Sequence, residues 1–197
     1  MAITHGYASL AEVKRSLGIT DTVDDDLLEL CIESASRAID NMTERVFFQG
    51  TATRVFVADD SFYTPIDDLY SVTSIKSSTN GDQVYDITWE TTDYQLEPLN
   101  GNLNGTYWPY TGVRAVGDYL FPTIGQEATV QIEGVWGWAD VPTAIKQACV
   151  LQSARYYKRS DSPMGVAGFD AMGVVRLSNV DPDIYTLLEP YKKIRMV

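Results

Sequence analysis

The apolar residues near the amino terminus recur at the three- and four-residue spacing of an α-helix. Ser9 followed by Glu12 forms the pattern of a capping box, and Gly18 stands where a helix commonly ends. The apolar residues that share one helical face here are Leu10, Val13 and Leu17. This pattern predicts a short amphipathic helix.

A longer helical pattern follows an acidic turn. The three carboxylates of Asp24, Asp25 and Asp26 lie where the amino terminus of a helix favours negative charge, and we interpret them as capping residues rather than as a metal site. The apolar residues that follow at helical spacing are Leu27, Leu28, Cys31, Ile32, Ala35, Ala38, Ile39 and Met42. We expect a helix of about five turns that ends near residues 43–46.

From Thr51 to Val141 the helical spacing is replaced by alternating β-branched and aromatic residues, which is typical of strands. Asn-Gly pairs at 80–81, 100–101 and 104–105 favour reverse turns between these runs. Between Leu99 and Thr123 the alternation is poor, so we expect a long loop or an irregular hairpin there.

Helical spacing returns after Pro142 and predicts a helix of four to five turns with a basic carboxyl end. Glycine, proline and small residues in Ser160–Gly173 then predict a flexible segment. Asp181 and Pro182 favour the start of a last short helix, which Pro190 ends.

This order of elements predicts an α+β fold in which an antiparallel helical core, built from both ends of the chain, carries a β-rich insertion. We expect a single domain of four parts. Residues 1–48 form the amino-terminal helices, 49–141 the β-rich insertion, 142–159 a core helix, and 160–197 a flexible tail with a short helix.

The charge is strongly acidic and unevenly distributed. The 197 residues carry a formal charge of −12, which argues against a protein whose whole surface binds nucleic acid. Residues 1–45 contribute −5, residues 46–141 contribute −10, and residues 142–197 contribute +3. The carboxy-terminal part is therefore the only basic one.

Few residues are suited to catalysis. His5 is the only histidine, so a histidine-based triad or a multi-histidine zinc site cannot be built from this chain alone. Cys31 and Cys149 lie in apolar helical patterns and are expected to be reduced core thiols. A glycosidase needs two carboxylates, but no pair stands out among the many acids. We predict no catalytic, cofactor-binding or metal-binding residue, no membrane span, and synthesis in the cytoplasm.

Aromatic residues are abundant in the β-rich part and allow two interpretations. They can form the core of the sheet, or a face that stacks on sugars or on a protein partner. Trp136 and Trp138 are two residues apart, as residues on one face of a strand are, and we favour the core for both. For Tyr107, Trp108 and Tyr110, in the loop-like segment, we favour an inter-subunit or neck contact.

Two blocks of sequence resemble one family. Ala8–Ile19 together with Asp24–Phe47 is similar to the opening of phage head-tail connector proteins, the adaptors or head-completion proteins of long-tailed phages. Gly134–Lys193 looks like the carboxy-terminal half of the larger adaptors, and its most specific part is the junction WGW-x-x-VP-x-x-IKQA. The blocks cover about half of the chain.

This resemblance implies a non-enzymatic structural protein of the virion neck. It implies about twelve copies in a ring that contacts the portal protein on one side and a stopper or tail-terminator protein on the other. Genomic DNA would pass through the ring without sequence recognition. The family docks on the portal through its carboxy-terminal segment. The residues that this implies here are Arg155, Lys158, Arg159, Phe169, Arg176, Tyr185, Leu188 and Tyr191.

Two alternatives remain. One is a different neck or tail component, such as a stopper or tail-completion protein, although helices at both ends of the chain argue against those mostly β or mixed folds. The other is a carbohydrate-binding tail module, suggested by the aromatic β section alone.

Overall fold

The computed structural model describes residues 3–103, 106–125, 127–160, 166–170, 173–176 and 181–193, of which 102, 103, 106, 160, 166–170 and 173–176 are described by their backbone alone. The chain divides into two compact units. The helical unit comprises Met1–Arg45 and Val141–Val197, and the sheet unit comprises Val46–Asp140. Helices and an antiparallel sheet together confirm the predicted α+β class.

The helical unit contains α1 (Leu10–Leu17), α2 (Asp25–Thr43), α3 (Thr143–Ser160) and α4 (Pro182–Leu188), the last followed by a 3₁₀ turn at Glu189–Tyr191. The predicted capping box begins α1: the Ser9 side chain accepts from the Glu12 amide, and the Glu12 carboxylate accepts from the Ser9 amide. Gly18 ends the helix with φ 71°. Asp181 caps α4 by accepting from the Asp183 amide at 3.0 Å.

Helices α2 and α3 pack antiparallel in this unit. The Ser36 hydroxyl of α2 lies 3.4 Å from the Cys149 sulfur of α3. The Tyr157 hydroxyl near the carboxyl end of α3 donates to Asp24 at the amino end of α2, so the two helices run in opposite directions. Both cysteines are reduced and buried, as predicted. The fully buried apolar side chains of α1 to α4 are Val13, Leu28, Ile32, Ala35, Ile39, Ile145, Ala148, Cys149, Ile184 and Leu188.

The sheet unit has eight described strands. They are β1 (Gly50–Phe56), β2 (Tyr63–Ser77), β3 (Ile87–Trp89), β4 (Tyr94–Glu97), β5 (Asn102–Leu103), β6 (Thr106–Tyr107), β7 (Tyr110–Ala115) and β8 (Val130–Trp136). Six of these form one antiparallel sheet in the order β1-β8-β2-β7-β4, with β3 paired to β2. Strands β5 and β6 pair with each other.

Strand β2 organises this sheet because it is long enough to have several neighbours. It pairs with β8 from Leu69 to Ser77, with β7 from Tyr63 to Leu69, and with β3 at its end. The buried core of the sheet packs around it and includes Leu69, Ile75, Trp89, Val113, Phe121, Ile132 and Trp136.

Three features differ from the prediction. The segment expected to be a long loop or an irregular hairpin contains the antiparallel pair of β5 and β6, but its residues Tyr110–Ala115 form β7, because β2 and β4 pair with them on both sides. Trp136 and Trp138 are both buried, as predicted, but they do not share a strand face: β8 ends at Trp136, and Gly137 reverses the backbone with φ 106°. In the segment expected to be flexible, Val166–Asp170 (β9) pairs with Gly173–Arg176 (β10).

Candidate assembly surfaces

The three aromatic residues predicted to make a subunit or neck contact lie together in one pocket. Tyr107, Trp108 and Tyr110 line a cavity of about 220 Å³ with Leu99, Asn100 and Gly101. The Trp108 amide donates to the Gly101 carbonyl at 2.8 Å, and this bond joins the two chain segments that form the wall. The cavity lies where β4 has ended and β7 begins.

The pocket is held rigidly by aromatic packing. The ring of Tyr107 contacts those of Tyr70 and Tyr110 edge-on, with centroids 5.6 and 6.3 Å apart. The Tyr107 hydroxyl donates to the Tyr70 carbonyl at 3.2 Å. Trp108 packs at 4.9 Å against Trp138, which is fully buried. The aromatic wall is therefore continuous with the interior of the sheet unit.

The wall of the pocket is weakly polar and carries no ionisable group other than phenols. Burial raises the pKa of Tyr107 to about 12, and the hydrogen bond between Tyr107 and Tyr110 acts in the same direction. The Tyr107 phenol is therefore neutral at physiological pH. A pocket of rings, amides and hydroxyls can take an apolar side chain or a sugar, and it offers no nucleophile or general base of ordinary reactivity.

The residues predicted to dock on the portal are spread over the helical unit. Arg155 forms an ion pair with Asp181 at 2.8 Å, which connects α3 to the start of α4. Lys158 and Arg159 are exposed at the carboxyl end of α3. Because the Tyr157 hydroxyl donates to Asp24 at 2.6 Å, these two cations lie beside the amino end of α2.

The remaining docking residues differ in exposure. Tyr185 is exposed, and the Lys192 ammonium lies 3.6 Å from its ring centroid. Tyr191 is half-buried, and its carbonyl accepts from Arg45 at 2.8 Å. Leu188 is fully buried, so its side chain belongs to the core of the unit and not to a surface. The side chains of Phe169 and Arg176 lie outside the described residues.

The acidic turn before α2 acts differently from the predicted cap. Asp24 occupies the capping position, but its side chain makes no capping hydrogen bond and instead accepts from Tyr157. Asp25 pairs with Lys14 at 2.6 Å. These carboxylates tie α2 to its neighbours in the helical unit. Among the described residues, no three His, Cys, Asp or Glu side chains converge as metal ligands would.

The sequence did not identify several residues of these surfaces. Leu99 is 65 % exposed at the pocket, and three apolar side chains in the turn before α2 and in its first two turns are exposed: Val23, Leu27 and Leu30. Besides the three aromatic residues, the sequence signal for the pocket was the turn-favouring pair Asn100 and Gly101. No described helix is long and apolar enough to span a membrane.

One protein family matches part of the sequence. Residues 7–80 match the family of phage gp6-like head-tail connector proteins. This range contains both amino-terminal stretches on which the resemblance was based, and it confirms that resemblance. No protein of curated function matches the sequence.

Solved structures extend the likeness to the whole chain. A chain in the neck of an empty gene transfer agent (GTA) particle, determined with C6 symmetry, is 16 % identical, with a TM-score of 0.61 and coverage of 100 % of this chain and 95 % of that chain. A chain in the neck of the native GTA particle, determined with C12 symmetry, is 18 % identical with a TM-score of 0.61. The match covers 100 % of this chain and 94 % of that chain. A chain of the native GTA virion is 20 % identical with a TM-score of 0.60, and the match covers 100 % of this chain and 95 % of that chain. These likenesses show that the fold is shared over the full length.

Proposed function

We propose that this chain, which resembles phage gp6-like head-tail connector proteins over residues 7–80, is the structural head-to-tail adaptor of a tailed phage or phage-like particle. The family match carries the proposal. The fold supports it, because chains from GTA necks cover this chain completely. The adaptor is part of the virion neck and is made in the host cytoplasm, and it has no catalytic role.

The adaptor forms a ring of about twelve copies between the portal protein and a stopper or tail-terminator protein. A neck with C12 symmetry contains a chain of the same fold, which supports this number. A ring built from one repeated heterologous contact closes when the rotation between neighbours divides a full turn. Genomic DNA passes through its lumen without sequence recognition.

The portal contacts the helical unit at the basic end of α3. Lys158 and Arg159 are exposed there, and Tyr185 and Tyr191 lie on the adjoining carboxy-terminal segment. Residues 142–197 carry +3, so an acidic portal surface would be complementary in charge. The sheet unit carries −10, and an acidic wall facing the lumen would repel DNA phosphates during transit.

The direct experiment follows ring formation by light scattering and negative-stain microscopy, with the protein alone and mixed with the portal of the same particle. Rings, or monomers that join the portal, are expected. Lys158→Glu with Arg159→Glu should weaken portal binding at least tenfold, whereas Arg15→Glu, an exposed cation on α1, should leave it unchanged. A monomer that ignores the portal would refute the adaptor role.

The lumen wall is tested in assembled particles. Reversal of exposed acids of the sheet unit, beginning with Asp86→Lys and Glu127→Lys, should leave ring assembly intact but impair DNA retention or ejection. Fully normal particles carrying several such reversals would refute the repulsive wall.

A carbohydrate-binding tail module is the second candidate, and the aromatic pocket favours it. Tyr107, Trp108 and Tyr110 offer the rings and hydroxyls that sugars bind. A glycan array decides between the two: specific binding that Trp108→Ala abolishes would support the module, and no binding would count against it.

A further inference from the structure

We propose that neighbouring copies of this chain contact one another head to tail, with an apolar projection on the sheet unit of one copy entering the aromatic pocket on the sheet unit of the next. This inference rests on the proposed ring. It names both halves of the contact between copies, and each half is a described surface of the same compact unit.

The projection consists of Phe62, Val116, Tyr119 and Leu120. Their exposed fractions are 55 %, 39 %, 44 % and 51 %, which are high for large apolar side chains. The Ala115 amide donates to the Phe62 carbonyl at 2.9 Å, and the Phe121 amide donates to the Ser61 carbonyl at 2.8 Å. These bonds hold the backbone of Phe62 beside the backbones of Val116 and Leu120, so the exposed residues lie close together in one patch.

The patch has a rigid base. Phe121, which follows Leu120, is fully buried and stacks on Trp89 with centroids 4.6 Å apart. Tyr119 contacts the same indole at 5.5 Å. A preorganised projection loses little conformational freedom when it binds, which favours its use in assembly.

The patch and the pocket lie at opposite ends of the same two strands. Strand β7 starts at Tyr110, in the pocket, and ends at Ala115, next to Val116 of the projection. It runs antiparallel to β2, where Tyr63 pairs with Arg114 and Leu69 pairs with Tyr110. At about 3.4 Å per residue, the two surfaces are roughly 17 Å apart along β7.

This placement matches the requirement of a heterologous contact. In such a contact two different patches of one protein meet, so every copy must present both, and repetition produces a ring when the rotation closes. A projection and a pocket on opposite ends of one unit fulfil that requirement. A two-fold contact would instead need one self-complementary patch.

A second copy also suits the chemistry of the pocket. The sheet unit carries −10, so copies repel one another except where an uncharged contact brings them together. The residues that line the pocket carry no charge, and the four side chains of the projection are apolar or aromatic, with the exposed Asp118 as the charged residue between Val116 and Tyr119. Aromatic anchors seated in a pocket commonly dominate the binding energy of an interface.

The test uses two single substitutions in the full chain. Leu99→Asp places a carboxylate at the rim of the pocket and leaves the projection unchanged. Leu120→Asp places a carboxylate in the projection and leaves the pocket unchanged. Each variant alone should be monomeric where the wild type assembles, with association weakened at least tenfold. An equimolar mixture has one intact pair of surfaces and should give dimers that do not grow into rings.

The control is Val55→Asp, which changes a side chain that is 51 % exposed on β1, at the opposite edge of the sheet from β4. It should assemble like the wild type, and all variants should keep wild-type circular dichroism and tryptophan fluorescence. Mass is followed by analytical ultracentrifugation, alone and with the portal.

The outcomes separate this contact from the adaptor role. Rings that tolerate both substitutions, a mixture that remains monomeric, or an equal loss in Val55→Asp would each overturn the contact while wild-type rings on the portal keep the proposed function. A wild type that forms no ring either alone or on the portal would overturn both. Binding of a free glycan in the pocket, blocked by Leu99→Asp, would identify a different occupant.

Discussion

The two units of this protein differ in charge, in architecture and in the kind of contact that builds them. The helical unit has 12 basic and 14 acidic side chains, while the sheet unit has 3 and 13. One unit can therefore present cations to a partner, and the other is acidic almost throughout. This difference fits the proposed adaptor role, in which the docking cations and the acidic DNA-facing wall would belong to different units.

Their cores also form in different ways. In the helical unit, apolar residues three or four positions apart meet on one face of a helix, so the sequence pattern nearly fixes what is buried. In the sheet unit, Leu69 lies opposite Trp136, a residue 67 positions further along the chain. All four tryptophans lie in the sheet unit, so tryptophan fluorescence reports on that unit and circular dichroism at 222 nm reports mainly on the helices.

The largest effect is expected from truncation of either core. Ile32 in α2 and Leu69 in β2 are both fully buried, and replacement by alanine should cost about 2–5 kcal/mol of unfolding free energy. Ile32→Ala should mainly lower the urea midpoint measured by circular dichroism at 222 nm. Leu69→Ala should mainly lower the urea midpoint measured by tryptophan fluorescence. Equal shifts of both probes in both variants would show that the units unfold as one, which would break the comparison.

A backbone substitution tests the turn that separates Trp136 from Trp138. Gly137 has φ 106°, and an added Cβ would lie 2.1 Å from the Phe48 carbonyl oxygen. Gly137→Ala should therefore destabilise the sheet unit by about 3 kcal/mol. Gly117→Ala, with φ 70° and open space around the added Cβ, is the control and should cost about 1 kcal/mol. If Gly137→Ala and Gly117→Ala have equal urea midpoints by tryptophan fluorescence, the clash with the Phe48 carbonyl oxygen is not the cause of the loss.

A smaller loss is expected at the start of α1. Ser9→Ala removes the hydroxyl that accepts from the Glu12 amide and should cost about 1 kcal/mol, seen at 222 nm. Ser34→Ala, at an exposed site inside α2, should be neutral or slightly stabilising. If the two variants behave alike, the capping box does not stabilise the helical unit.

The smallest effects concern two carboxylates of the helical unit with opposite pH dependence. Burial raises the pKa of Asp40 above its usual 3.8, despite the hydrogen bond from Tyr7 and the charge of Arg37. The folded state thus binds this proton more tightly, and the contribution of Asp40 to stability falls as the pH rises through its raised pKa. Asp40→Asn should remove this fall, which is less than about 1 kcal/mol.

The contribution of Glu12 to stability has the opposite pH dependence. Its hydrogen bonds with Ser9 lower its pKa from 4.5, so the stability it adds is present above pH 4.5 and is lost as the pH falls through the lowered value. Glu12→Gln keeps a capping acceptor and should abolish this loss. Urea midpoints at 222 nm between pH 3 and 7 measure both slopes, and slopes unchanged by either substitution would contradict the assignment.

The surfaces were harder to predict than the elements. Tyr107, Trp108 and Tyr110 were identified from their aromatic character alone, and the structure places them in one pocket. Leu99 and Leu120 could not be identified, since an apolar residue in a loop gives no sign of whether it will be covered. Leu188 was assigned to a surface because the resemblance implied docking through the carboxy-terminal segment, yet α4 turns it into the core.

The sequence by itself determined the helices, the caps of α1 and α4, the α+β class and the division of charge, because these depend on residues within a few positions of one another. Only the tertiary structure decided that Tyr110–Ala115 is an inner strand, that Gly137 separates the two tryptophans, and that a pocket and a projection lie at opposite ends of β7. The physical reason is that strand pairing joins residues distant along the chain, and their spacing carries no local signal of the partner.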